Sequence, residues 1–230
     1  MMGHQENISN LSEACVMHSV IPKDSYISDS SIVEFCQFDI PVHIGTNSII
    51  SNCSVSLEEC PYKIKSRQLL EIPDDVFMHT IPVDVDGVTK FVTLILDIYD
   101  NPKQESPIEN LSFLGISMKK FCSLFETVLQ FILSGQSYPN NGVHIARNCN
   151  ISLWDACLFP VEDTASESFL KSLEIVKSVR KNCRLIDLKT LKLVSIADII
   201  YLKSYKFMLA KRNQLFVKIQ HKALDSDKHI

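Results

Sequence analysis

The chain has 230 residues, which is enough for one large domain or two small ones. Hydrophobic residues make up 46% and charged residues 22%, a globular composition that excludes wholesale disorder. The net charge of −4 argues against a nucleic-acid-binding surface, and no apolar run approaches the roughly 18 residues that cross a membrane. We therefore expect a globular chain without a nucleic-acid or membrane partner.

The cysteines and the N-terminal sequence indicate in which cellular compartment the protein is located. None of the cysteines forms a C-x-x-C pair, the spacing typical of zinc ribbons and thioredoxin-like sites. The first ten residues, MMGHQENISN, lack the apolar core of a secretory signal. The eight cysteines are Cys15, Cys36, Cys53, Cys60, Cys122, Cys149, Cys157 and Cys183. We expect a reducing, cytoplasmic location with most of these thiols acting as small buried side chains.

A short period runs through the N-terminal part of the chain. Apolar residues recur every five or six positions at Cys15, Ile21, Ile27, Ile32, Phe38, Ile44 and Ile50. Four residues after each stands a mostly small one: Ser19, Ser25, Ser31, Cys36, Val42, Ser48 and Ser54. This spacing is typical of hexapeptide units in a left-handed parallel β-helix, where aliphatic side chains point inward and small ones sit at corners. An irregular β-meander is the alternative interpretation.

Strands and one helix are predicted beyond this repeat. Strands at 81–83 and 90–98 flank an Asp86-Gly87 turn, which is a hairpin signal. Apolar residues at helical spacing predict a helix over 118–134, capped by Ser117 and ended by Gly135. Two further strands are predicted at 111–116 and at 151–159, the second ended by Pro160.

Two capping signals predict helices in the C-terminal part. Thr164 and Glu167 have the spacing of a capping box in front of a helix over 165–181. Ser195 and Asp198 repeat that spacing before a helical region over 196–222. The predicted fold class is therefore mixed β and α: a short left-handed parallel β-helix, then mixed strands and C-terminal helices.

The predicted organisation is one composite unit with polar ends. Residues 1–13 form a polar N-terminal segment, 14–222 one composite domain and 223–230 a frayed tail. Within the domain we distinguish the hexapeptide β-helix (14–56), strands with one helix (57–160) and a helical end (161–222).

The sequence lacks a phosphate-binding loop, and it contains few other candidate site residues. The six glycines include no G-G or G-x-G pair, so no Walker or dinucleotide fingerprint exists. His18 and His43 lie in the repeat, where hexapeptide acyltransferases place a general base, but solvated corner histidines are the favoured interpretation. Cys53 with Cys60, and Cys149 with Cys157, have spacings that suit packing better than zinc binding.

Several charged or aromatic residues have both a functional and a structural interpretation. Asp97 and Asp155 are possible functional carboxylates or solvated strand-end acids, and Trp154 is expected to anchor the core. The last helix carries a basic stretch, either a solvated face or a phosphate or partner site. Its residues are Lys203, Lys206, Lys211 and Arg212. We assign no catalytic, cofactor-binding or metal-ligating residue to this chain from these patterns.

Four segments together resemble one family, the fucose-1-phosphate guanylyltransferases or GDP-L-fucose pyrophosphorylases. They are Ile44–Ser51, Phe91–Ile95, Ser152–Val161 and Leu193–Ile199. The run SLWDACLFPV is the most specific of them, and the resemblance covers most of 14–220. It places the chain on the C-terminal half of the family's enzymes.

The resemblance implies a two-part enzyme. In the family an N-terminal α/β domain binds GTP, Mg²⁺ and β-L-fucose 1-phosphate, and the sugar phosphate attacks the α-phosphorus of GTP to release diphosphate. This sequence matches none of that domain, so the resemblance implies no cofactor in this chain, no activity alone, and a partner. That partner is the missing catalytic domain, or a second copy through the β-helix. A stand-alone scaffold or assembly module and a hexapeptide-type acyltransferase are the alternatives.

Overall fold

A computed structural model describes residues 14–59, 69–127 and 150–226, with side chains to residue 221. The strands are β1 (Cys15–Met17), β2 (Tyr26–Ile27), β3 (Ile32–Glu34), β4 (Gln37–Phe38), β5 (Val42–Ile44), β6 (Ile49–Ser51), β7 (Ser54–Val55), β8 (Leu70–Ile72), β9 (Val76–Val85), β10 (Val88–Asp97), β11 (Ser112–Phe113), β12 (Ile116–Ser117), β13 (Phe159–Glu162) and β14 (Leu193–Val194). The α-helices are α1 (Met118–Phe125), α2 (Ala165–Lys181), α3 (Ile196–Leu202) and α4 (Tyr205–Ser226).

The short strands β1 to β7 pair in parallel with strands 17 residues further on or back. Serine hydroxyls reinforce this pairing at the same offset. The Oγ atoms of Ser19, Ser25 and Ser31 accept hydrogen bonds of 3.0–3.1 Å from backbone N–H groups 17 residues on. The serines of the sequence period therefore accept hydrogen bonds through their side chains from the backbone of the paired segment, as well as fitting tight space.

The residues that are buried in this region are not all the ones that the sequence period predicts. Ile27, Ile44 and Ile50 are buried as expected, and Ile21 is only half-buried. Ile32 is 36% exposed, and its neighbour Val33 is fully buried instead. Because side chains alternate between the two faces of a strand, a shift of one residue exchanges the inner and outer positions.

The predicted fold class, a left-handed parallel β-helix followed by strands and helices, is wrong. Three of the short strands join a mixed seven-stranded sheet in the order β1-β3-β6-β9-β10-β13-β14, and the others form the separate parallel sheets β2-β5-β8 and β4-β7. β9 pairs in parallel with β6, and then turns at Asp86-Gly87 into ten antiparallel pairs with β10. β13 and β14 extend the sheet antiparallel. The fold is therefore mixed α/β, because the parallel pairing of the short strands passes from β6 to β9, and the β9–β10 hairpin determines how the sheet continues.

Helix α2 covers the sheet through a face of small polar residues. It packs against β10, β13 and β7, and four of its serines are buried: Ser166, Ser168, Ser172 and Ser178. Ser172 Oγ donates to the Thr93 carbonyl at 3.1 Å, and the Ser168 and Thr93 hydroxyls are 2.8 Å apart. Phe169 packs on Phe38, with ring centroids 5.8 Å apart. The small serines thus let α2 approach the sheet closely while their hydroxyls keep hydrogen-bond partners.

The predicted helix starts are confirmed. Thr164 Oγ1 accepts from Glu167 N at 3.1 Å at the start of α2. Ser195 and Asp198 form a full capping box at the start of α3. The expected helical region over 196–222 consists of two helices, and between them Ser204 N donates to the Pro82 carbonyl of β9 at 2.9 Å.

Two other predictions need correction. Helix α1 starts after the predicted cap Ser117 but ends at Phe125, where Glu126 adopts a left-handed conformation. The predicted end at Gly135 lies outside the described residues. The predicted strand over 151–159 is a bridge and a turn, and the strand begins at Phe159 and includes Pro160. Proline is compatible there because its missing N–H leaves the other pairs of β13 intact.

Candidate functional site

The two histidines of the repeat are held by aromatic contacts. His18 is exposed, has a φ of 48°, and stacks on Phe35 with ring centroids 5.1 Å apart. His43 on β5 is half-buried and meets the ring of Tyr26 edge-on at 5.0 Å. The structure places both rings in side-chain packing along the repeat.

The candidate carboxylates are engaged within the protein. Asp97 is buried at the end of β10, and its Oδ2 accepts from Arg180 Nη2 at 3.0 Å. Asp155 Oδ2 accepts from Ser152 Oγ at 2.7 Å within the turn before β13. Trp154 is half-buried and carries the amine of Lys103 4.7 Å from its ring centroid. These contacts support structural roles for all three sequence-predicted residues.

The described cysteines of the candidate set, Cys53 and Cys157, are both buried. Cys53 is buried beside Thr80, whose hydroxyl donates to its sulfur at 3.4 Å. Burial raises the pKa of the Cys157 thiol to about 11, with a further contribution from the charge of Asp198. Cys60 and Cys149 lie outside the described residues. Among the residues that the structure describes, no group of three His, Cys, Asp or Glu side chains is arranged to hold a metal ion.

The basic stretch is divided between two helices, because Lys203 caps the end of α3 and the other three residues lie on α4. Lys206 is exposed, and Lys203 stays near the surface with its amine 4.8 Å from the Tyr205 ring centroid. Lys211 and Arg212 turn toward the sheet instead. Lys211 Nζ donates to Ser54 Oγ at 3.0 Å. The expected solvated face therefore describes Lys206 but not the two residues that meet the sheet.

Arg212 joins α4 to two positions of the repeat. Its Nε donates to Asn52 Oδ1 at 3.2 Å, and its guanidinium lies 4.2 Å from the ring centroid of Phe35. Asn52 and Phe35 both have a left-handed backbone, with φ of 54° and 52°. We call Asn52, Ser54, Thr80, Lys211 and Arg212 the α4 cluster. It is rich in hydrogen-bond donors and cationic.

The pKa values of His79 and Lys211 are both lowered in and beside the α4 cluster. Burial, followed by the charges of Lys203 and Arg212, lowers the pKa of His79 to about 4. Burial also lowers the pKa of Lys211, against the opposing charge of Glu59. Both shifts have the direction expected when cationic forms lose solvent. Burial under α4 thus disfavours the protonated forms of both residues.

Sequence reasoning missed two members of this region, Asn52 and His79. Asn52 follows Phe35 by 17 residues, so its corner position is recognisable only once that offset is known. His79 lies on a strand whose apolar neighbours Met78 and Ile81 give no sign of the helix above it. The signal for Lys211 and Arg212 was present, but periodicity does not say which face of α4 meets the sheet.

Comparison with known proteins then decides the family. The model of the fucose pyrophosphorylase domain matches residues 1–164, more than half of the chain. The chain belongs to the fucose pyrophosphorylase family. This confirms the resemblance carried by segments such as Ile44–Ser51 and Phe91–Ile95, although the matched range stops before α2.

Two relatives of this fucose pyrophosphorylase family member extend the similarity further along the chain. The mouse (Mus musculus) fucose-1-phosphate guanylyltransferase is 27% identical over 219 residues, covering 93% of this chain and 33% of the relative. The human protein of the same name is 25% identical over 215 residues, covering 91% and 32%. The chain thus spans about a third of the length of these curated relatives. No solved structure matches it.

The helices carry no membrane signal. Every helix within the described ranges is too short or too polar to cross a bilayer.

Proposed function

We propose that this chain is one part of a fucose-1-phosphate guanylyltransferase, and that it does not perform the transfer alone. The proposed whole reaction joins GTP and β-L-fucose 1-phosphate to give GDP-L-fucose and diphosphate. The observation that carries the proposal is the similarity over 93% of this chain to only 33% of the mouse guanylyltransferase. A second segment would supply the nucleotide site.

The engagement of the cations in the α4 cluster supports a structural role for this part. Phosphoryl transfer depends on cationic groups or metal ions placed where negative charge develops. Here Lys211 is bonded to Ser54, and Arg212 is bonded to Asn52 and stacked on Phe35. These side chains fix α4 to the sheet, and a triphosphate would have to compete with those contacts.

The outer surface of α3 and α4 supports a partner. Six large apolar side chains there are between 48% and 89% exposed. They are Ile200, Tyr201, Tyr205, Leu209, Phe216 and Val217. Exposed apolar surface of this extent is typical of interaction sites. We propose that this surface meets either the nucleotidyltransferase part of the enzyme or a second copy. A stand-alone assembly module is the alternative function that the same surface favours.

The thiols support a reducing compartment for this proposed function. The six cysteines that the structure describes are all free thiols. Since structural disulfides are common in secreted proteins and rare in the cytosol, we propose a cytoplasmic location.

Two assays test the proposed function. The purified full chain, incubated with GTP, Mg²⁺ and β-L-fucose 1-phosphate, should release no more diphosphate than a boiled sample. The mouse guanylyltransferase serves as the positive control. In the second assay this chain replaces the matching third of the mouse enzyme, and the chimera should retain measurable transfer. Release by the chain alone would disprove dependence on a second segment, and an inactive but folded chimera would argue against a shared role.

A further inference from the structure

A small cavity lies under α4, where the helix crosses the sheet. Its volume is about 10 Å³, which suits one occupant of the size of a water molecule. The lining residues are Asn52, Thr80, Pro82, Phe91, Met208 and Lys211. Three of the six side chains are apolar, and the lining also includes the amide of Asn52 and the amine of Lys211.

Asn52 contributes an amide group with an unmet hydrogen-bonding need. The residue is only 7% exposed, and its Oδ1 is occupied by Arg212 Nε at 3.2 Å. That bond fixes the amide so that Nδ2 carries the two remaining N–H donors. Nδ2 is buried and has no hydrogen-bond partner within the described part of the chain. A buried donor left in this state is costly, so an acceptor is expected beside it.

Lys211 adds a positive charge to the same cavity. Its Nζ has three donors, and one of them is used on Ser54 Oγ at 3.0 Å. The acidic group whose charge acts on this amine is Glu59, and the Glu59 carboxylate accepts from Ser166 Oγ at 2.9 Å. The lowered pKa of Lys211, caused first by burial, is the direction expected when an ammonium group lacks solvent.

Each polar acceptor that lines the cavity already takes part in at least one hydrogen bond. The Pro82 carbonyl accepts from Ser204 N at 2.9 Å. Thr80 Oγ1 donates to Cys53 Sγ and is 2.9 Å from Thr93 Oγ1, with which it shares a hydrogen bond. A water molecule needs two to four polar partners, including acceptors for its own two hydrogens. An anion needs donors only, and donors are what Asn52 and Lys211 offer.

We propose that this cavity binds one halide ion, chloride under ordinary conditions, between Asn52 Nδ2 and Lys211 Nζ. The volume has room for a single small occupant and excludes phosphate and sulfate without rearrangement. The ion ties the corner of the repeat at Asn52 to helix α4, and it therefore stabilises the packing of α4 on the sheet. This site is separate from the proposed guanylyltransferase reaction and does not depend on it.

Thermal unfolding of the full chain tests the proposal. Sodium chloride and sodium bromide should each raise the Tm in a saturable way, and sodium gluconate at equal ionic strength should not. The variant Asn52→Asp keeps the shape and the acceptor for Arg212 but places a carboxylate at the anion position, so the halide-specific rise should disappear. The matched control is Asn182→Asp, because Asn182 is also left-handed, with φ 49°, but is exposed at the end of α2. It should keep the full halide response.

A second measurement does not depend on a variant that folds. Crystals of the unmodified chain grown with bromide should show an anomalous peak in the cavity lined by Asn52 and Lys211. Equal Tm curves in gluconate and chloride, a full halide response in Asn52→Asp, or a water without anomalous signal in that cavity would each overturn the proposal.

Discussion

Arg180 and Asp97 join the end of helix α2 to the end of strand β10. Arg180 Nη2 lies 3.0 Å from Asp97 Oδ2 and also donates to the Asp74 carbonyl at 3.2 Å. The Asp97 side chain is 7% exposed and that of Arg180 is 35% exposed. Asp97 Oδ1 accepts from Tyr99 N at 3.1 Å. One guanidinium thus connects the helix to two different turns of the sheet.

Replacing Asp97 by Asn should destabilise the fold by about 1–2 kcal/mol. The variant leaves the half-buried Arg180 without its counter-charge while keeping an acceptor for Tyr99. Urea unfolding followed by circular dichroism measures the change in the free energy of unfolding. Asp163→Asn is the matched control, because the ion pair of Asp163 with Lys90 is largely exposed and should be worth less than about 1 kcal/mol. Equal losses in both variants would contradict a structural role for the Arg180–Asp97 pair.

Gly45 and Gly87 should respond differently to alanine. A Cβ at Gly45 would lie 2.5 Å from Asp74 N and 2.7 Å from Pro73 C. These are backbone atoms that cannot give way cheaply, so Gly45→Ala should cost about 2–4 kcal/mol. Gly87 has a φ of +77°, and a Cβ added there would meet nothing within 4 Å. Strain alone should make Gly87→Ala cost about 1 kcal/mol. Thermal unfolding of both variants checks this order, and a reversal would contradict it.

The pKa of His79 predicts a loss of stability in mild acid. Its folded-state pKa of about 4 lies below the ordinary value of 6.5, so the unfolded chain binds the proton more readily. The stability is complete above pH 6.5 and is lost as the pH falls from 6.5 toward 4. We expect a loss of about 2 kcal/mol from this group, allowing for its partial exposure.

The variant His79→Gln isolates that effect. Glutamine keeps a polar side chain of similar length but does not titrate, so the slope of unfolding free energy between pH 6.5 and 4 should become shallower. His43→Gln is the control, since that ring lies on β5 against Tyr26 and away from α4. An unchanged slope in His79→Gln would show that other groups cause the acid sensitivity.

Local signals predicted what local contacts decide. The cap at Thr164, the capping box at Ser195 and the hairpin at Asp86-Gly87 each depend on residues within a few positions, and the structure confirms all three. The break before α4 depends on Ser204 bonding to Pro82, more than a hundred residues away in sequence. No helical periodicity records such a bond.

The predictions of the fold class and of the solvated face of the last helix failed for the same reason. The exchange of Ile32 for Val33 as the buried residue is set by the 17-residue offset between paired strands, which a hexapeptide count approximates but does not match. The orientation of Lys211 toward Ser54 depends on how α4 crosses the sheet. Both depend on contacts between residues far apart in the sequence, because the surface that a segment packs against decides which of its faces is buried.

The exposed apolar surface of α4 predicts concentration-dependent association of the isolated chain. Leu209 is 59% and Phe216 is 50% exposed, and their separation by seven residues places them on one side of the helix. Light scattering over a concentration series should show a mass that rises above that of one chain. The double variant Leu209→Lys with Phe216→Lys should shift the series back toward a single chain.

Gln214→Lys is the matched control for that variant, because Gln214 is exposed on the same helix, about half a turn around from the apolar side. It adds positive charge to α4 without touching the apolar stripe, and it should associate as the unmodified chain does. The comparison matters because α4 is already cationic, so added charge alone could disperse the chains through repulsion. A single-chain mass for the unmodified protein at high micromolar concentration would contradict self-association. Association that survives in the double variant would place the contact away from α4, with the edge strand β1 as the next surface to test.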